Sequence, residues 1–236
     1  MSFLNRRRWF MLALGLAAAI VLCGNILECR YVAHTDQRAK EMQYILLAIR
    51  DHVVDKGIWP VAIRRNELGR PTCSWRRTEH PYVWSPMSST LWDLPWFSTD
   101  DLLWLAKTDR NDRLAPASLG SDEDHLTWIA AVTGPGTVFP DDYPFSGEVP
   151  HDTIVLIEYA GLDSVFSQPG DVDVRQVTSA ITQGGDGRGV HVGFADGSVW
   201  YLDKSVPFEH VNHFLTIEGA RQHDRDELLG PFRFPR

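Results

Sequence analysis

The sequence predicts an α+β protein in which an N-terminal membrane-spanning helix continues as an amphipathic helix packed on an antiparallel β-sheet. Three observations predict it. An apolar run from Trp9 to Leu27 follows Arg6-Arg7-Arg8, apolar residues then recur at helical spacing from Ala39, and the second half holds strand-like runs that end in a hairpin signal at Asp196-Gly197. Helix followed by clustered strands, without βαβ alternation, is the α+β pattern. At 236 residues, with 44% hydrophobic and 23% charged, the chain has the composition of a folded body and not of a disordered one. No period of 20 to 50 residues recurs, which sets aside a propeller or solenoid despite the blade-like "FADGSVW".

The apolar run is interrupted only by Asn25, and its 19 residues would span roughly 28 Å at ~1.5 Å each, about the hydrocarbon thickness of a bilayer. The three arginines on its N-terminal flank place that end in the cytoplasm and the remainder outside. This gives a plan of a basic tip (1–8), a transmembrane helix (9–27) and an extracytoplasmic domain (28–236). A cleaved signal peptide is the competing reading, but the run is longer than a usual signal core and no convincing small-x-small site precedes charged sequence. Ile20-Val21-Leu22-Cys23 matches a lipoprotein cleavage box only loosely.

Residues 1–27 carry three arginines and no acids, so the net charge of −8 becomes −11 on the rest, which argues against nucleic acid as a partner. Cys23, Cys29 and Cys73 form neither a disulfide framework nor a metal spacing; Cys29 and Cys73 can pair outside the cytoplasm or remain free.

From Ala39, the positions Met42, Ile45, Leu46, Ile49 and Val53 form one helical stripe, with Arg38, Lys40, Glu41, Arg50 and Asp51 elsewhere. Gly57 and Pro60 are stop signals. Residues 61–95 lack periodicity and read as irregular. Ser98-Thr99-Asp100-Asp101 before an apolar stretch reads as a capped short helix, and 111–124 as loop. Thr127 to Val132 and Thr153 to Tyr159 read as strands. In the hairpin, a two-residue turn at Asp196-Gly197 pairs Ala195 with Ser198. That register puts Val192, Phe194, Val199 and Tyr201 on one face, with Gly193 opposite Trp200. Ser205 and Pro207 then open a helix carrying Phe208, Val211, Phe214 and Leu215, ended by Gly219. The tail from Gln222 is charged and reads as surface or mobile.

This order of features resembles the prepilin-type, type II secretion pseudopilin-like proteins of unknown function with a C-terminal H-x9-DG signature. The matching pieces are Phe194-Ala195-Asp196-Gly197-Ser198-Val199, Ser74-Trp75-Arg76 with Pro81-Tyr82, Val132 to Thr137, Thr153 to Glu158 and Gln168 to Val172. The resemblance implies a pilin-like fold and an envelope protein with structural or interaction work, not an enzyme. Two departures from the family stand out: Asp186 lies where its histidine would be, and Trp9 and Leu14 replace the small residue and the carboxylate of a prepilin peptidase site. These departures predict an unprocessed anchor and, at most, weak self-association.

Glu158 stands out as a carboxylate in an apolar strand, where burial demands a partner such as an arginine or backbone N–H groups. Asp171, Asp173, Asp186 and Asp196 are weak calcium candidates if their loops converge, without the spacing of a calcium loop. The motif positions proper are Asp196 and Gly197, read as turn formers, and Glu158. His125, His151, His191, His210 and His213 show no zinc spacing, and His210 and His213 read as solvated. No cofactor is expected. An anchored extracytoplasmic enzyme or ligand-binding domain using Glu158 and the Asp-rich loops is the rival function; membrane and envelope proteins are the expected partners.

Overall fold

Met42, Ile45, Leu46 and Ile49 are all buried in the computed structural model, which describes residues 24, 28, 32–33, 35–65, 67–75, 126–140, 143–159, 164–165, 170–177 and 187–234. The chain divides into two compact units, Met1–Arg38 and Ala39–Arg236. In the first, residues 24, 28, 32–33 and 35–38 are helical. The anticipated span over 9–27 lies, Gly24 apart, outside the described residues. Among those that are described, no helix is long and apolar enough to cross a membrane.

In the second unit, helix α1 covers residues 39–56 and ends as read from the sequence. Gly57 takes the left-handed conformation (φ +71°) and donates its N–H to the Val53 carbonyl at 2.8 Å. Residues 61–95, read as irregular, contain a short hairpin of β1 (Ile63–Arg65) and β2 (Pro71–Ser74). These strands are too short for alternation to show. The segments 76–125 and 178–186, with the expected helix at Ser98, the loop at 111–124 and Asp186, fall outside the described residues, as do Cys29 and the Cys73 side chain.

A second two-stranded pair joins β3 (Leu126–Thr127) and β6 (Ser164–Val165). The main sheet is built from β4 (Ile129–Thr133), β5 (Ile154–Glu158), β7 (Val172–Asp173), β8 (Gly189–Phe194) and β9 (Val199–Asp203), in the order β7-β4-β5-β8-β9. It is mixed, which corrects the antiparallel expectation, because β7 runs parallel to β4 through Val132↔Val172 and Thr133↔Asp173. Two residues carry no period for a sequence to reveal.

β5 is buried throughout because both faces of the sheet are covered and a register shift interrupts it. Ile154 pairs with Phe194, yet Leu156 pairs with Gly193, so Val155 is the extra residue of a bulge. One face packs on α1 through Met42, Leu46, Ile49, Ala131, Leu156, Val199 and neighbours. The other buries Val192, Phe194, Trp200, Leu202, Val211, Phe214 and Leu229 under the C-terminal segment.

The β8–β9 hairpin forms, one residue out of the anticipated register. Phe194 N–H donates to the Ser198 carbonyl and Gly197 N–H to the Phe194 carbonyl, both at 2.9 Å, so the connection is the three residues Ala195-Asp196-Gly197, with Gly197 at φ +86°. This is the three-residue hairpin that places glycine in the left-handed bulge position. The shift changes every cross-strand neighbour: Val192 faces Trp200, His191 faces Tyr201 and Gly193 faces Val199. Gly193 therefore makes room for the helix and not for an indole. A Cβ there would lie 2.8 Å from Leu46 Cδ1 and 3.2 Å from Met42 Sδ.

The single helix expected after Pro207 is two helices, α2 (Phe208–Asn212) and α3 (Ile217–Gln222). Thr216 breaks the run by accepting the Gly219 N–H at 3.2 Å as the cap of α3. Gly219 lies inside α3, where a Cβ would come within 2.2 Å of the His213 carbonyl. Ser205 caps nothing; its N–H donates to Asp203 Oδ1 at 2.7 Å, and Pro207 holds the α2 cap position. The tail, read as surface or mobile, lies largely on the surface but is ordered there as α4 (Arg225–Leu228), capped by Asp224, and then a 3-10 turn. Arg233 bridges to Leu202, and Phe234 N–H donates to the Tyr201 carbonyl, which closes the outer edge of β9.

Candidate functional site

Burial in the central strands gives Glu158 its partner. One step beyond the Ile157↔Val192 pair, Glu158 Oε2 lies 2.6 Å from His191 Nδ1 and also accepts the His191 backbone N–H at 3.2 Å. Both side chains are 1% exposed. The Tyr201 ring lies 4.8 Å from the imidazole, between ring centroids, and the Trp128 ring 6.4 Å. Of the kinds of partner named for it, a backbone N–H is present, and a histidine ring joins it.

A carboxylate on Nδ1 fixes the orientation of an imidazole and leaves Nε2 to act or to bind. Here Nε2 is closed to solvent and has no hydrogen-bond partner among the described residues. The pair spans β5 and β8, so it bonds the two middle strands through their side chains as well as their backbones. Removing Glu158 would leave the His191 Nδ1 without this partner in a medium that solvates it poorly.

The described calcium candidates, Asp171, Asp173 and Asp196, do not converge. Asp171 Oδ1 accepts from Trp75 Nε1 at 3.0 Å and from the Ala131 N–H at 2.8 Å, which fixes β7 beside β4. Asp173 caps the turn after β7, accepting from the Arg175 N–H and Nε at 2.8 Å each, and these bonds hold its carboxyl down at about 2. Asp196 Oδ1 accepts the Ser198 N–H at 2.8 Å, while its Oδ2 takes Arg225 Nη2 at 3.0 Å. Burial pushes the Asp196 carboxyl up, but the hydrogen bonds from Arg225 and Ser198 outweigh it and hold it below the ordinary 3.8. Among the described residues no group of three or more His, Cys, Asp or Glu is placed to hold a metal.

Arg225 was not singled out in the sequence. Its guanidinium lies 4.4 Å from the Phe194 ring and 4.7 Å from the Trp200 ring, donates to Ser198 Oγ at 3.0 Å, and sits 3.3 Å from Asp152 Oδ1 without hydrogen-bond alignment. Arg233 stacks on Trp200 at 4.4 Å. Asp196 is thus more than a turn former: it ties the hairpin to α4. No local motif marks Arg225, whose partners lie 27 and 29 positions away. His191 had a weak signal, a polar ring in an otherwise apolar strand that also needs a neighbour for Glu158.

Comparison of the chain with protein-family models, with curated protein sequences and with solved structures found no match.

Proposed function

We propose that the protein is a membrane-anchored, pseudopilin-like structural or interaction protein of the bacterial cell envelope, held by residues 9–27 with its C-terminal domain outside. The observation that carries this reading is the outward side of α1. Its inner stripe is spent on the sheet, yet Tyr44, Leu47 and Val54 share the opposite side and are 63%, 43% and 79% exposed. Val54, with Leu46, Ile49, Val53, Trp59 and Ala195, also lines a shallow, mostly apolar groove of about 210 Å³ in which Arg50 is the one charged residue. Apolar side chains aligned on one helix face suit a partner surface. The Arg6-Arg7-Arg8 flank and the apolar run ahead of the helix in sequence supply the anchor.

The rival, an anchored enzyme or ligand-binding domain, draws on the unpartnered His191 Nε2. Weighing against it, that atom is shut away from solvent and the described candidate aspartates are committed to protein donors.

Two measurements test the proposal. A reporter active only outside the cytoplasm, fused after Arg236, is expected to be active; a stable, silent fusion overturns the topology. A photo-crosslinking residue at Leu47 is expected to give a discrete adduct in living cells, and the same residue at Asp226, exposed on α4, none. Equal labelling at both positions overturns the interaction face.

A further inference from the structure

Three histidines gather where the C-terminal helices meet. His213 follows α2 and His223 follows α3, and their rings stack face to face, with centroids 3.7 Å apart and planes at 23°. His223 Nδ1 lies 2.9 Å from the Gly219 carbonyl, and His210 Nδ1 lies 3.1 Å from the Leu228 carbonyl. A carbonyl only accepts, so each Nδ1 is the donor and each Nε2 is where a further proton would bind. The backbone is fitted to the stack: Gly219 lets α3 close on the His213 carbonyl. The segment bearing the stack is tied into the sheet, since the Phe214 carbonyl accepts the Ile154 N–H at 2.7 Å and Ile217 N–H donates to the Gly136 carbonyl at 2.8 Å. Beneath it lie Val211, Phe214, Leu215 and Ala220, all buried.

We infer that the His213–His223 stack is an acid-sensitive latch: it closes α2 on α3 while both rings are neutral and loosens that corner when both become imidazolium. Two cations 3.7 Å apart repel, whereas two neutral rings at that distance attract. The stack does not read as a metal chelate, because in nearly parallel rings the nitrogen lone pairs run side by side and do not converge on one ion.

The groups that act on His213 by charge are its stacking partner His223 and, from α2, His210, both bases. The other ionisable residues of these elements are directed elsewhere or exposed. Glu218 and Arg221 on α3 lie 3.9 Å apart, Asp224 accepts the Asp226 and Glu227 N–H groups, Arg225 engages Asp196, and Glu209 is exposed. Burial, and then His223 and His210, hold His213 below the ordinary 6.5. A histidine depressed in the folded state gives its full stabilisation above 6.5 and loses it as the pH falls below that value. The latch is therefore closed at neutral pH and weakened by acid.

The test is hydrogen exchange on the full chain at pH 7.5 and 5.0, corrected for the intrinsic effect of pH, with a titration of the labelled histidine rings. Expected is a loss of protection in acid at Phe214, Ile217 and Ala220 while the β8–β9 amides keep theirs, and a His213 midpoint below 6.5. The substitution His223→Phe keeps a stacking ring but no charge; it should move the His213 midpoint upward and reduce the local acid effect. Acid sensitivity that persists in His213→Phe/His223→Phe overturns the latch. If that double variant does not fold, a wild-type His213 midpoint at or above 6.5 overturns it equally.

Discussion

The two faces of the central sheet are covered by different means. On one, α1 lays down Met42, Ile45, Leu46 and Ile49 at helical spacing against Leu156, Val199 and the bare backbone of Gly193. On the other, three short helices cover Phe194, Trp200 and Leu202, and a cation clamp joins them to the hairpin, with Arg225 against Phe194 and Trp200 and Arg233 on Trp200. The first layer depends on apolar shape and repeats in the sequence. The second depends on single polar side chains brought from distant positions, so single substitutions there change geometry and charge together.

The largest expected effect lies between the layers, at the pair that joins the middle strands. Glu158→Ala leaves His191 without its partner and should cost about 3–5 kcal/mol by denaturant unfolding. Replacement of Glu158 and His191 together by Leu and Phe should cost less, because the imidazole is then not left buried without its carboxylate. Equal losses in the two variants would show that the pair contributes volume only.

Met42→Ala, in the helix layer, should cost about 3 kcal/mol through transfer and cavity terms. Arg225→Met, in the clamp layer, should cost about 2 kcal/mol by removing the cation from two rings and from Asp196. If the layers are energetically separate, the two losses add to within about 0.5 kcal/mol in the double variant. A larger coupling would merge them into one cooperative unit.

The smaller effects fall at the hairpin turn. Gly197→Val forces a β-branched residue to φ +86° and should cost about 2 kcal/mol. Asp196→Asn keeps the turn chemistry but weakens the bond to Arg225, at about 1 kcal/mol. Because Asp196 is held below 3.8, its contribution is present above that pH and is lost as the pH falls through its lowered value. The Asp196→Asn deficit measured at pH 6 should therefore shrink at pH 2; a constant deficit would remove Arg225 from the account.

This contrast also explains what could be read beforehand. The stripe of α1, its stop at Gly57, the strands β4 and β5 and the existence of the hairpin follow from period and turn chemistry, which are local. The hairpin register was missed by one residue because Asp-Gly fits both a two-residue turn and the second and third places of a three-residue one. The parallel strand β7 depends on Asp171 reaching Ala131, and the break between α2 and α3 on Thr216 capping in place of helix continuation. Glu158 was legible as a residue in need of a partner. Which residue supplied it depended on the β5–β8 register and its bulge, and no pattern within either strand encodes that.

The hydrogen bond from Trp75 to Asp171 joins residues 96 positions apart. Closing a loop of that length costs about 4 kcal/mol of chain entropy by the logarithmic rule, before any local contact repays it. The β8–β9 hairpin, in contrast, closes over a handful of residues. Assembly should therefore begin at the hairpin and end at the Trp75–Asp171 contact. Until then β7 is held on the outer edge of β4 by a two-residue ladder without its tryptophan anchor, so the slow step of folding is also an interval in which that edge is easier to open to another chain.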